Sequence, residues 1–371
     1  MRISIPREIK NNEYRVAITP AGVHDLVTNG HEVHIERGAG EGSSIPDSAY
    51  VDAGAVIEDT ASATWESAEL LLKVKEPIEE EFGYFRSDLT LFAYLHLAAE
   101  PGLTRALMES GVTAIAYETA QRADRSLPLL APMSEVAGRL SAIVGANALL
   151  KPHGGSGLLV PGVPGTYPAK VVVLGGGVAG TNAASVAVGL GADVTVLDTN
   201  IGRLRELDAL YAGRIKTIAS TAFEVERAVL DADMVIGSVL VPGAKAPKLV
   251  RNDMVARMRP GSVLVDIAVD QGGCFEDSHP TTHDNPTFRV HDTVFYCVAN
   301  MPGAVPHTST HALTNATLPY VRAVAGKGWR TALAADPALA LGLNVVDGHV
   351  TNAGVADAND VQLTLLQDVL A

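Results

Sequence analysis

Residues 169–198 confine this chain to a small set of folds. They read Ala169-Lys-Val-Val-Val-Leu-Gly-Gly-Gly-Val-Ala-Gly180, then a small-residue stretch of helical character, then Ala192-Asp-Val-Thr-Val-Leu-Asp198. A strand, a glycine turn, a helix and a second strand ending in an acid make a dinucleotide-binding unit. Gly175 supplies the tight turn, Gly177 lets backbone approach a pyrophosphate, and Gly180 lets the helix pack closely on the sheet. The phosphates would lie at a helix N-terminus, where unpaired N–H groups and the helix dipole favour negative charge. Asp198 follows Gly180 by 18 residues, close to the spacing of a carboxylate that binds a ribose 2′-hydroxyl. Its charge would repel a 2′-phosphate, so the expected cofactor is NAD, not NADP. Removing Asp198 would then let Arg203, one helical turn on, meet such a phosphate.

The rest of the chain alternates in the same way. Before residue 130, Arg2–Ile5, Val33–Ile35, Leu70–Val74, Leu91–Tyr94 and Val112–Tyr117 are short β-type runs separated by helical or loop segments. Ala131–Leu150 has apolar residues at helical spacing and predicts a long helix bridging two domains. A second series of apolar strands follows the Gly- and Pro-rich stretch 154–168: Val171–Leu174, Val194–Leu197, Met234–Ile236, Val263–Ile267 and Val294–Val298. From His307 the pattern is helical again. The expected architecture is α/β, with two Rossmann-like domains on parallel sheets. The NAD domain, residues 131–306, is inserted into a substrate domain of residues 1–130 and 307–371.

Composition removes several classes of function. With 28 Lys and Arg against 42 Asp and Glu the net charge is −14, which disfavours nucleic acid and anionic membrane surfaces as partners. The N-terminus runs from Met1 into the charged stretch Arg7 to Glu13, unlike a signal peptide, and no apolar run is long enough for a membrane span. Two cysteines, Cys274 and Cys297, are too few for a disulfide scaffold, so the expected location is cytoplasmic. The histidines at 279, 283, 291, 307 and 311 fit no zinc-finger or two-histidine protease motif, and no metal is expected.

By composition alone Arg15 and Lys75 read as solvated charges. Lys75 stands out because it follows the apolar run Leu70–Leu72 at a strand end, where active-site groups of open α/β sheets gather. His96 likewise follows Thr90-Leu-Phe-Ala-Tyr-Leu95, and imidazole suits proton transfer near neutrality. Asp270 follows the apolar run 262–267 and precedes Gly272 and Gly273, a position that also suits a turn-forming aspartate.

The N-terminal run Ile5-Pro-Arg-Glu-Ile-Lys-Asn-Asn-Glu-Tyr-Arg15-Val-Ala-Ile-Thr-Pro20-Ala-Gly-Val23, with Leu26 and Gly30, resembles the signature of the alanine dehydrogenase/pyridine nucleotide transhydrogenase family. The likeness continues in Leu72-Lys-Val-Lys75-Glu-Pro77, Tyr94-Leu-His96-Leu-Ala98, Ala131-Pro-Met-Ser-Glu-Val-Ala-Gly-Arg139 and Val265-Asp-Ile-Ala-Val-Asp270-Gln-Gly-Gly273, so it spans the chain through Tyr320. Ser4 departs from the glycine expected there. The resemblance implies reversible NAD-dependent oxidative deamination of L-alanine to pyruvate and ammonium by a homohexamer. The alternative within the family is the soluble nucleotide-binding component of a transhydrogenase. It further implies His96 and Asp270 as the proton-transfer pair, and Arg15, Lys75 and Asn300 as substrate contacts. Cofactor contacts are expected from Ser134, Gly175, Gly177, Val178, Ala179, Gly180, Asp198, Arg203, Ser220, Val239, Leu240, Ile267, Asp270 and Met301.

Overall fold

A computed structural model describes residues 1–239 and 246–370; Leu240 therefore lies outside the described residues. The chain divides into two compact units. One comprises Met1–Met133 and Val305–Ala371, the other Ser134–Ala304.

In the first unit six strands come from the N-terminal segment: β1 (Arg2–Ile5), β2 (Glu32–Glu36), β3 (Val56–Glu58), β4 (Leu70–Leu72), β5 (Thr90–Ala93) and β6 (Thr113–Ala116). The second unit holds β7 (Lys170–Leu174), β8 (Asp193–Asp198), β9 (Ile215–Ala219), β10 (Met234–Gly237), β11 (Val263–Asp266), β12 (Thr287–Val290) and β13 (Thr293–Tyr296). The returning chain adds β14 (Leu343–Val346) and β15 (His349–Val350) to the first sheet.

The first sheet runs β15-β14-β6-β5-β4-β1-β2-β3 and the second β12-β13-β11-β10-β7-β8-β9. Counting only its parallel strands in chain order, each contains the order 3-2-1-4-5-6 of a doubly wound sheet. The order reverses between β1 and β4 in one sheet and between β7 and β10 in the other. In open α/β sheets ligands bind outside the carboxyl ends of the strands at such switch points. The six strands of each core are parallel. Both sheets are thus mostly parallel, as expected, and each adds antiparallel edges: β14 on β6 with β15 on β14, and β12 on β13. Short turns join β12 to β13 and β14 to β15, and a tight turn can join only antiparallel neighbours.

Alternation along β7 shows why these runs are apolar throughout. Val171 and Val173 join Ile236 and Val265 on one face, whereas Val172 and Leu174 join Val235 and Leu264 on the other. Both faces are buried, as parallel strands covered by helices must be. In the first unit Leu71, Leu91, Ala93 and Ala114 pack with Trp65, Leu103 and Leu107. Helix ends follow local chemistry. Thr19 caps the helix Pro20–Thr28 by accepting from Gly22 N–H, with Pro20 at its first position, and Gly111 ends the helix Pro101–Ser110 at φ 71°. The helix Ala131–Ala148 matches the expected long one to within two residues, and the change of unit falls in its first turn.

Candidate active site

Three strands of the first unit deliver polar side chains at their carboxyl ends. Lys75 lies three residues past β4 and His96 three residues past β5, on neighbouring strands. Arg15 lies on the segment after β1, across the switch point from β4. Arg15 is only 2 % exposed. Its Nε donates to Glu13 Oε1 at 2.7 Å, its Nη2 donates to Glu13 Oε2, and its Nη1 lies 3.0 Å from Met133 Sδ. Burial works against the guanidinium charge, but Glu13 outweighs it and raises the Arg15 pKa. Lys75 is half-buried and forms no ion pair among the described residues, so its ammonium is open to a ligand.

His96 is held from two directions. Its backbone is left-handed, φ 50°, and the Glu118 carboxylate accepts both the His96 N–H at 2.7 Å and the Leu95 N–H at 3.1 Å. The ring faces Glu76, with Nδ1 3.2 Å from Glu76 Oε2, and 36 % of the side chain is exposed. Burial opposes the imidazolium, but the hydrogen bond to Glu76 and the charge of Glu118 outweigh it and raise the His96 pKa against the opposing Lys75. Burial would likewise raise Glu76, yet His96, Lys75 and Lys10 together hold its carboxyl well below the usual carboxylate range. Lys10 and Glu76 form an ion pair. Beneath Lys75 the ammonium of Lys73 is 2.9 Å from Glu81 Oε1 and 3.1 Å from Glu8 Oε2, all three side chains being buried. Glu8 Oε1 also accepts the Val74 N–H at 2.6 Å, which ties the strand end carrying Lys75 to the segment carrying Arg15.

In the second unit the glycine turn follows β7. Gly175 has φ 99°, where only glycine is unstrained. A Cβ on Gly180 would lie 1.8 Å from the Gly175 carbonyl oxygen, whereas one on Gly177 would meet nothing within 4 Å. Gly177 precedes the helix Val178–Gly189, whose first turn has no acidic residue and no side-chain cap. Open space above uncapped N–H groups is what a dinucleotide pyrophosphate requires, so these residues fit that group. Val178 is exposed and Ala179 half-buried at this terminus, and the half-buried Ser134 stands in the first turn of the helix Ala131–Ala148.

Asp198 ends β8. Its Oδ2 accepts the Gly176 N–H at 2.6 Å and its Oδ1 the Asn200 N–H at 2.7 Å, so it braces the turn. Arg203, expected to meet a 2′-phosphate once Asp198 is removed, is engaged at the turn. Its Nε donates to the Gly176 carbonyl at 2.6 Å, its Nη2 to Thr181 Oγ1 at 2.7 Å, and its Nη1 to Glu206 at 2.7 Å. Ser220 follows β9, and its N–H donates to the Asp198 carbonyl at 2.9 Å. Val239 lies two residues past β10 and Ile267 one past β11, at the same carboxyl ends.

Asp270 does not stand directly on a strand. β11 ends at Asp266, and Asp270 is exposed within the short 3₁₀ turn Val269–Gln271. The buried Asp266 supports that turn, accepting from Ala268 N–H at 3.0 Å, Cys274 N–H at 2.8 Å and Ser278 Oγ at 2.5 Å. Asn300, at φ 63°, and the buried Met301 follow β13. Both cysteines are buried and their thiols pushed up to about 12, mainly by burial.

Glu13, Glu76, Glu118 and Asp266 escaped the sequence reading. Glu118 had a signal, since it lies two residues past β6 by the same strand-end rule that marked His96. The others become visible only when the fold brings their partners to them.

Two doubly wound sheets, one with a glycine turn and terminal aspartate and the other with Arg15, Lys75 and His96 at its carboxyl ends, define a two-unit protein of the nucleotide-binding α/β class. Residues 4–137 match the alanine dehydrogenase/PNT N-terminal domain family and residues 141–353 the corresponding C-terminal domain family. An alanine dehydrogenase of Mycolicibacterium smegmatis is 62% identical over all 371 residues, covering 100% of both chains, and one of Halomonas elongata is 58% identical over 96% of both. A solved L-alanine dehydrogenase superposes with a TM-score of 0.93 at 50% identity, covering 100% of both chains. A transhydrogenase from Sinorhizobium meliloti gives 0.80 at 27% identity, over 95% of this chain and 99% of that one. The chain belongs to the alanine dehydrogenase/PNT family.

Proposed function

We propose that this chain catalyses the reversible oxidative deamination of L-alanine, in which L-alanine, NAD and water give pyruvate, ammonium, NADH and a proton. The observation that carries the reading is the placement of Lys75 and His96 at the carboxyl ends of neighbouring strands. The full-length identity to alanine dehydrogenases supports it. Bound NAD supplies the acceptor for the Cα hydride. It would be held by the turn Gly175–Gly180, by Asp198 at the ribose, and by Ser134, Val178, Ala179, Ser220, Val239, Ile267 and Met301, with Arg203 bracing the turn. Leu240, outside the described residues, is assigned with them by the family resemblance alone.

Lys75 and Arg15 orient the substrate, Lys75 as a point charge on its carboxylate or carbonyl oxygen and Arg15 as a positive charge held in place by Glu13. Asn300 contacts the same substrate. Once the hydride has left, water adds to the iminium carbon and His96 takes its proton; returned to the carbinolamine nitrogen, that proton lets ammonia leave as the C–N bond breaks, while the hydroxyl proton passes to His96 and pyruvate is formed. Asp270 assists the transfer and helps to hold the nicotinamide. We also propose a cytoplasmic homohexamer; no described helix is long and apolar enough to cross a membrane.

The test is the purified chain with L-alanine and NAD, followed by absorbance of the reduced nicotinamide. L-alanine-dependent reduction without any partner protein is expected. Hydride exchange between two nucleotides, with no response to L-alanine, would replace this reading by the transhydrogenase component.

A further inference from the structure

We propose that Glu76 is the positioning residue of His96, receiving Nδ1–H so that Nε2 remains the basic nitrogen offered to the reactants. The inference rests on the reaction proposed above for the role of His96, but the geometry stands apart from it. Glu76 Oε2 lies 3.2 Å from Nδ1 and only 5 % of the Glu76 side chain is exposed. Its carboxyl is held ionised, so it can accept but not donate, and the proton of this contact must sit on Nδ1. Nε2 has no hydrogen-bond partner among the described residues.

A second carboxylate makes the arrangement rigid. Glu118 takes the backbone N–H of both Leu95 and His96, and so holds His96 at φ 50°, a conformation that a non-glycine residue leaves readily unless it is tied. One carboxylate therefore fixes the backbone and another fixes the ring. On its far side Glu76 is paired with Lys10, and Lys10 is 40 % exposed, so the charge that His96 feels is set by a chain reaching solvent: Lys10, Glu76, imidazole. The other groups around the ring are Glu118, which favours its protonation, Lys75, which opposes it, and the Tyr94 ring at 6.1 Å.

The experiment reads His96 directly. Diethyl pyrocarbonate modifies neutral imidazole, and the extent of modification of the His96 peptide, measured by mass spectrometry across pH, gives the titration midpoint of that one ring. Glu76→Gln keeps an acceptor but loses the charge, and should lower the midpoint by about one pH unit. Lys10→Met leaves Glu76 less neutralised and should raise it. The exposed neighbour Glu79, changed to Gln, should leave it in place. A Glu76→Gln midpoint that moves no further than that of Glu79→Gln overturns the proposal. Should Glu76→Gln fail to fold, Lys10→Met decides alone, and an unchanged or lowered midpoint overturns it. In the deamination assay the acid limb of kcat/KM should follow the same shift, since the neutral ring is the working form in that direction. Absence of L-alanine turnover in the unaltered protein would reject the reaction while leaving the titration result intact.

Discussion

Lys73 carries an ammonium into a region where only 1 % of its side chain meets solvent, and it faces two carboxyl groups there, Glu8 and Glu81. Burial pushes Glu8 up to about 7 against the attraction of Lys73. Between the ordinary carboxyl value of 4.5 and about 7, the folded chain therefore holds a proton that the unfolded chain releases. By linkage the contribution of Glu8 to stability is full below that window and falls as pH rises through it, by on the order of 3 kcal/mol. Glu76, held low, acts in the opposite sense and loses its contribution on acidification. Urea unfolding of the wild-type protein and of Glu8→Gln at several pH values isolates the Glu8 term. The difference between the two should change through that window, and parallel pH profiles would contradict the assignment. Sequence alone exposed Lys75 and His96 because each follows an apolar strand. It could not expose Lys73 with Glu8, or Glu76 with His96, because a charge reads as solvated until the fold buries it beside its partner.

At the scale of the element, the glycine turn separates packing from binding. Gly180→Ala would set a methyl 1.8 Å from the Gly175 carbonyl oxygen, so the helix Val178–Gly189 must shift. It should destabilise the protein by about 1–3 kcal/mol in denaturant unfolding and weaken NADH binding as well. Gly177→Ala adds a Cβ to open space at φ −67°, and should leave the thermal midpoint unchanged while weakening NADH binding. Equal stability losses in the two variants would contradict this division. Asp198→Ala should raise the NADP-to-NAD ratio of kcat/KM, since a charge that repels the 2′-phosphate is gone. It should also weaken the turn, because the Gly176 N–H loses its acceptor. Arg203 stays engaged with Gly176 and Thr181, so the gain toward NADP is small. An unchanged ratio would remove Asp198 from the ribose. The strands β1, β2, β4–β8, β10, β11 and β13 were legible as short apolar runs. β9 reads Ile-Lys-Thr-Ile-Ala and lies at a half-exposed edge, β3 has three residues, and β14 hides beside Ala-rich helical segments, so none carried a clear apolar run.

Over the whole molecule, the residues proposed for substrate and for cofactor belong mainly to different units. Arg15, Lys75 and His96 lie in the unit of residues 1–133 and 305–371, and the glycine turn, Asp198 and Asp270 in that of residues 134–304. The alternation of strands and helices made both sheets legible in sequence, and the 3-2-1-4-5-6 order then gave the strand ends their meaning. The antiparallel edges were not legible, because pairing direction depends on connections whose turns carry little apolar pattern. A change confined to His96 should therefore stop the chemistry without disturbing the dinucleotide. The most direct measurement is the initial rate of L-alanine-dependent NAD reduction by His96→Ala beside wild type, with NADH affinity measured separately by fluorescence titration. The account predicts a loss of roughly 10²-fold or more in kcat with NADH affinity within about twofold of wild type. Turnover at the wild-type rate in His96→Ala would contradict it.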